Sequence, residues 1–143
     1  MRIANMSLLA ALILFAPGCL IVDHEEPGCY GDGCTTTIGN FGFWWSFELQ
    51  DGSLSDSCAV ADVARIDVRV YDDWGDLEYV VLDRPCNDLG LDLLDFYTGY
   101  YDLQLTGRCP LGRITHEGWY EVYVGPGPNE LGVLSLDYLG PCL

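Results

Sequence analysis

The chain has 143 residues, half of them hydrophobic and 13% aromatic, with 22 acidic residues against six basic ones. That apolar content excludes an intrinsically disordered chain, and a formal charge of −16 excludes nucleic acid as a partner, because phosphate backbones would repel it. The acids are scattered along the sequence, which favours net charge that keeps a small domain soluble over the alternatives, a salty habitat or weak divalent-cation binding.

At the front, Arg2 precedes an apolar run from Met6 to Ala16. The run is shorter than the roughly 20 residues a membrane-spanning helix needs. It matches the apolar region of an export signal, typically about 7–15 residues. Ala16-Pro17-Gly18, all small or compact, stand immediately before Cys19. These residues resemble the lipobox of bacterial lipoproteins, with Ala16 where that family usually carries Leu. The resemblance implies a diacylglycerol on Cys19, a palmitate-type membrane anchor, and cleavage of the signal peptide 1–18. Plain secretion would cut at the same bond, and an uncleaved membrane anchor is the third alternative. Cysteine parity favours the lipid. Cysteines stand at 19, 29, 34, 58, 86, 109 and 142, and an odd number leaves one over in an exported chain. With Cys19 acylated, six can pair completely.

Cleavage leaves 125 residues, enough for one domain and its core. Five arginines and no lysine then face 22 acids, a formal −17. Charge would not hold such a chain to an anionic membrane, so lipid is the anchor. The expected address is the bacterial cell envelope, with the outer membrane favoured over the inner.

Residues 19–40 read as the lipidated cysteine and a tether, with Asp23, Glu25, Glu26, Pro27 and glycines but no sustained period. About 20 flexible residues reach roughly 25 Å root-mean-square, enough to hold a domain clear of a lipid surface. From 41 to 143 the pattern is strand after strand. Phe41, Phe43, Trp45, Phe47 and Leu49 alternate with period two. Ile66, Val68 and Val70 alternate with Arg65, Asp67 and Arg69. Asp72-Asp73-Trp74-Gly75-Asp76 reads as a turn, and Leu77 to Leu82 returns as the partner of a hairpin. Leu89 to Leu94 is a short apolar stretch. Tyr101, Leu103 and Leu105 alternate, then Trp119 to Val124, then Leu131 to Tyr138 after the Gly125-Pro126-Gly127-Pro128 break. Seven short strands predict an all-β fold, a single antiparallel β-sandwich.

The hairpin sets expectations for the cysteines. A turn at Asp73–Asp76 places residue i near 149 − i, so position 58 faces 91 and Cys86 lies close by. Cys58–Cys86 is the pairing this favours, with a bridge from Cys58 to the tether as the alternative. Cys109–Cys142 would pin the last strand, which otherwise frays. Cys29 and Cys34 are left to close a small loop. Cys-x-x-Cys does not occur, and export disfavours reduced thiols, so a disulfide framework is expected rather than a zinc or redox site.

Other residues invite chemistry and find a plainer explanation. His116 reads as a solvated residue in a loop before a strand, and His24 lies in the tether. No Gly-x-Ser-x-Gly elbow accompanies them. Asp72, Asp73, Asp76 and Glu78 crowd one turn, but their spacing is not a calcium-loop pattern, and Asp and Gly are ordinary turn residues. Adjacent Trp44 and Trp45 must point to opposite faces of a strand. Trp45 goes to the core, Trp44 faces out, and Trp74 sits exposed at a turn. Trp44 and Trp74 are therefore the expected ligand contacts, for a protein or a glycan.

The stretch Leu91-Asp92-Leu93-Leu94-Asp95-Phe96-Tyr97-Thr98-Gly99-Tyr100-Tyr101-Asp102-Leu103-Gln104-Leu105 resembles the strand, turn and Gly-x-Tyr-x-Leu segment of prealbumin-like sandwiches. These include carboxypeptidase regulatory-like domains and the B-type repeats of collagen adhesins. Phe43 to Phe47, Ser57-Cys58 and Pro85-Cys86 are similar to a group of uncharacterised bacterial lipoproteins. The fold expected is thus prealbumin-like or immunoglobulin-like. Independently of the resemblance, Gly99 is expected to supply a positive φ, and Tyr101 to bury its ring with its hydroxyl at a polar rim. The function these readings imply is a non-catalytic envelope lipoprotein, binding, adhesive or structural, without a cofactor. A carbohydrate- or calcium-binding module is the first alternative and a hydrolytic enzyme the second.

Overall fold

A computed structural model of the protein describes residues 37–143. The expected export signal, Cys19, Cys29, Cys34 and most of the expected tether lie outside the described residues. The strands are β1 (Ile38–Glu48), β2 (Leu54–Ser55), β3 (Arg65–Asp72), β4 (Leu77–Pro85), β5 (Gly90–Tyr97), β6 (Gly99–Arg108), β7 (Ile114–Val124) and β8 (Gly127–Tyr138). Seven of these fall on the expected segments, and β2 adds a two-residue pairing to the end of β1. β1 begins at Ile38, so the last residues assigned to the tether are strand.

The strands form a β-sandwich. One sheet, called A here, has β1 between β8 on one edge and β5 with the short β2 on the other. The second, sheet B, runs β4-β3-β6-β7. β8 turns the corner between them, pairing with β7 only at Asp137 and Tyr138. All pairings are antiparallel except β1 with β8, which run parallel over nine residue pairs. Parallel neighbours need a long crossover, and the rest of the domain serves as that connection.

Alternation explains the core. Phe41, Phe43, Trp45 and Phe47 from β1, with Leu93, Phe96, Leu134 and Leu136, close sheet A against Ile66, Val68, Val70, Tyr101, Leu103, Leu105, Val122 and Val124 of sheet B. Phe96 joins the layers, meeting Phe41 at 5.0 Å and Tyr101 at 5.3 Å between ring centroids. Gly39 lets β1 pass the β7–β8 turn, since a Cβ there would fall 2.0 Å from the Gly125 carbonyl oxygen. Asn129 holds the same turn, its amide donating to the carbonyls of Asn40 and Gly125.

The hairpin register is the expected one at its centre, with Val68 opposite Val81, Arg69 opposite Val80 and Val70 opposite Tyr79, and it slips by one residue at each end. Cys58 does not lie on an extended β3. It sits in a loop that coils back through hydrogen bonds from Ala61 N–H to Ser57 O and Val63 N–H to Cys58 O. That coil brings Cys58 to Cys86, and the two form a buried disulfide. Cys109 is joined to Cys142. Tyr101 buries its ring and donates its hydroxyl to the Tyr97 carbonyl at 3.0 Å. Gly99, however, is not left-handed; Asp95 (φ 65) carries the positive φ in this segment, within β5.

Two buried positions are polar, Asp67 out of phase with the core residues of its strand and His116 in phase with Val122 and Val124. Asp67 faces away from the core on β3 yet is only 2% exposed. Arg108 Nε–H donates to its Oδ2 at 2.7 Å and Asp83 N–H to its Oδ1 at 2.9 Å, so the carboxylate is paired as well as buried. His116 is not a loop residue but part of β7, 1% exposed, between the rings of Phe47 and Tyr138. A paired cation in the first case and two aromatic neighbours in the second overrode the polar character of the side chain.

Candidate functional site

The outward side chains of sheet B line up in rows across the strands. Cross-strand register places Tyr100 opposite Tyr123, then Leu77, Tyr71, Asp102 and Glu121 in the next row, then Val80, Arg69, Gln104 and Trp119. An outward sheet face is normally polar, because the apolar half of the alternation is spent on the core. Here Leu77, Val80, Tyr100, Trp119 and Tyr123 are all large, apolar and exposed, and Tyr71 joins them half-buried. Contiguous patches of this kind mark interaction surfaces.

The rings are organised. Tyr71 and Trp119 come from strands on either side of β6, and their rings stack over it at 5.8 Å, 20° from parallel. Beneath them Gln104 accepts from the Tyr71 hydroxyl at 3.4 Å and donates to Glu117 at 2.7 Å, which fixes the floor. Tyr100 and Tyr123 form a second pair at 5.0 Å. Asp102 and Glu121, directly opposite each other and exposed, share a row with Tyr71, beside the Tyr100–Tyr123 pair on one side and the row of Trp119 on the other. Like charges facing each other across a ladder destabilise a sheet. Among the described residues neither carboxylate has an ion-pair partner; the nearby Arg69 reaches toward Asp67 instead, at 4.0 Å.

The two tryptophans expected to contact a ligand are both exposed, Trp44 at 47% and Trp74 at 73%. The fold places them apart, Trp44 on the outer face of sheet A and Trp74 in the β3–β4 turn at one end of sheet B, so they do not form one surface. The acids of that turn build the turn itself. Asp72 Oδ1 accepts the backbone N–H groups of Trp74 and Asp76 at 2.9 and 2.8 Å. Among the described residues no group of three His, Cys, Asp or Glu side chains is arranged to hold a metal ion.

A cleft of about 630 Å³ opens at the opposite end of the sandwich, lined in part by Asp51, Val60, Asp62, His116, Tyr138 and Pro141. His116 lines this cleft but is committed to the framework. Its Nε2 lies 3.0 Å from the Glu48 carbonyl and its Nδ1 3.0 Å from the Thr115 hydroxyl. A carbonyl can only accept, so Nε2 carries the proton and Nδ1 accepts from Thr115. Burial pushes the imidazole pKa below its ordinary 6.5, against the smaller opposing pull of Glu48. Asp51, on the rim, is held below the usual carboxylate range by hydrogen bonds from Ser53. Among the described residues no nucleophile stands within hydrogen-bond reach of His116 other than Thr115, its own neighbour on the strand.

No family model and no curated protein matches the chain. The candidate site therefore rests on its own geometry. Tyr71, Tyr100, Trp119 and Tyr123 escaped the sequence reading, although its logic contained them. Once Tyr101, Leu103 and Val122 point inward, the aromatic residues between them must point out, as Trp44 does beside Trp45.

Proposed function

We propose that the chain is a non-catalytic, exported binding module: an acidic β-sandwich held to the bacterial envelope by lipid on Cys19, which engages a partner through the outer face of sheet B. The observation that carries this reading is the pair of aromatic clusters on that face, Tyr71–Trp119 and Tyr100–Tyr123, exposed where a solvent-facing sheet would be polar. The two disulfides support export, because such bridges persist in oxidising compartments. The division into β5-β1-β8 and β4-β3-β6-β7 supports the prealbumin-like reading, whose members serve as accessory or adhesive modules.

The test has two arms on the full chain in its own host. Fatty-acid labelling should tag the protein and be abolished by Cys19→Ser. A photo-crosslinking residue at Tyr123 should give adducts on intact cells, whereas one at Leu111, 72% exposed in the β6–β7 loop, should not. Label that survives Cys19→Ser contradicts the anchor. Equal crosslinking from both positions, or none from Tyr123, contradicts the binding face.

A further inference from the structure

The outer face of sheet B carries more than apolar area. One row holds Asp102 and Glu121 opposite each other with Tyr71 beside Asp102, the Tyr100–Tyr123 pair in the row on one side and Trp119, stacked on Tyr71, in the row on the other. A like-charged cross-strand pair is a cost in the free protein, and no cation among the described residues relieves it. Carboxylates framed by aromatic rings are complementary to a cation. The carboxylates supply charge, and the negative ring faces attract ammonium or guanidinium groups. Arg69, in the adjoining row, is already turned to Asp67, and Arg65 and Arg108 stand at the far end of the face, so the patch has acceptors and no donor of charge beside them.

The aliphatic members decide what kind of cation. Leu77 and Val80 extend the same two rows onto β4, 52% and 44% exposed. They offer nothing to a hydrated amino-sugar polymer but suit the apolar side chains that accompany arginine or lysine in a polypeptide. β4 is also the edge of sheet B, so its free backbone groups lie beside the patch and can pair with an extended chain. The geometry points to a basic protein segment, with arginine or lysine alternating with apolar residues, as the occupant of this face. Its cations would sit over Asp102 and Glu121 and its apolar side chains against Trp119, Tyr71 and Val80. The inference rests on the binding role proposed above and names the chemistry of the partner.

The test uses defined probes. Binding to the full-length protein is measured for a nonapeptide alternating arginine with leucine, for the same peptide with citrulline in place of arginine, and for a chitosan pentasaccharide. The arginine peptide should bind. Citrulline, or Asp102→Asn/Glu121→Gln in the protein, should each weaken binding by about tenfold or more. Asp56→Asn/Asp62→Asn, which removes the same charge from the β2–β3 loop, should leave it unchanged. Asp102→Asn/Glu121→Gln should melt no lower than the wild type, since it relieves a repulsion, and this separates lost binding from lost fold. The inference is overturned if the two charge-neutralised proteins weaken equally, if citrulline binds as well as arginine, or if the pentasaccharide binds more tightly than the peptide. Should these arms fail while crosslinking from Tyr123 succeeds, the binding role stands and the basic-segment partner falls.

Discussion

Replacing Cys58 and Cys86 together by alanine removes a bridge that spans 28 residues of sequence. For a loop of this length the chain-entropy relation gives a loss of about 12 cal/mol/K, or about 3.5 kcal/mol at 25 °C. Both cysteines are buried, so deleting the sulfurs leaves a small void that adds roughly 1 kcal/mol. Against a typical total of about 5–15 kcal/mol, the sum is a large share. For a domain near 100 residues it corresponds to a fall in melting temperature of about 20 °C or more. Alternation in β1, β3 and β6 is untouched, and the Trp45 Nε1–H bond to the Cys86 carbonyl uses the backbone, which remains. The β-rich circular dichroism spectrum should therefore persist at low temperature. Urea denaturation of the two proteins, each two-state, reads the difference, and the slope should rise because the unfolded chain is less constrained. A midpoint equal to that of the wild type would refute the reasoning, as would a peptide map joining Cys58 to any other cysteine.

Three further outcomes follow from buried polar groups. The folded-state pKa of His116 lies below its unfolded value near 6.5, so its neutral ring contributes stability that is complete above that pH and falls as pH drops below it; the pH 7-to-5 decline in unfolding free energy should be shallower in His116→Phe than in the wild type, measured by denaturant titration at each pH. Asp67→Ala strands the Arg108 guanidinium and the Asp83 N–H, and should cost about 2–4 kcal/mol by denaturant titration, less than a fully buried pair because Arg108 is partly exposed. Tyr101→Phe removes only the hydroxyl bond to the Tyr97 carbonyl and should cost about 1 kcal/mol; thermal unfolding reads this, and a loss above 3 kcal/mol would mean the hydroxyl does more.

Much of the fold was legible because burial follows a period of two. Phe41, Phe43, Trp45 and Phe47 announce β1, and Asp72 to Asp76 announce the turn that sets the β3–β4 register and, with it, the neighbourhood of Cys58 and Cys86. What stayed hidden depends on partners distant in sequence. Asp67 alternates outward like any surface acid, and only Arg108, 41 residues away, explains its burial. His116 is decided by Glu48 and Phe47, far earlier in the chain. The parallel pairing of β1 with β8 leaves no local mark in either strand. The candidate site was half legible: an out-of-phase aromatic is visible in sequence, but which aromatics share a surface depends on strand order. That order separates Trp44 from Trp74 and gathers Tyr71, Tyr100, Trp119 and Tyr123.

On the proposed binding role, the outer face of sheet B is occupied when the protein is at work. Hydroxyl-radical footprinting compares the protein on intact cells with the same protein purified, reading oxidation at each aromatic side chain. Trp119, Tyr100 and Tyr123 should be protected on cells, while Trp44 and Trp74 should be oxidised equally in both samples. Equal oxidation of Trp119 in the two samples, or protection that falls on Trp44 or Trp74 instead, would contradict the account.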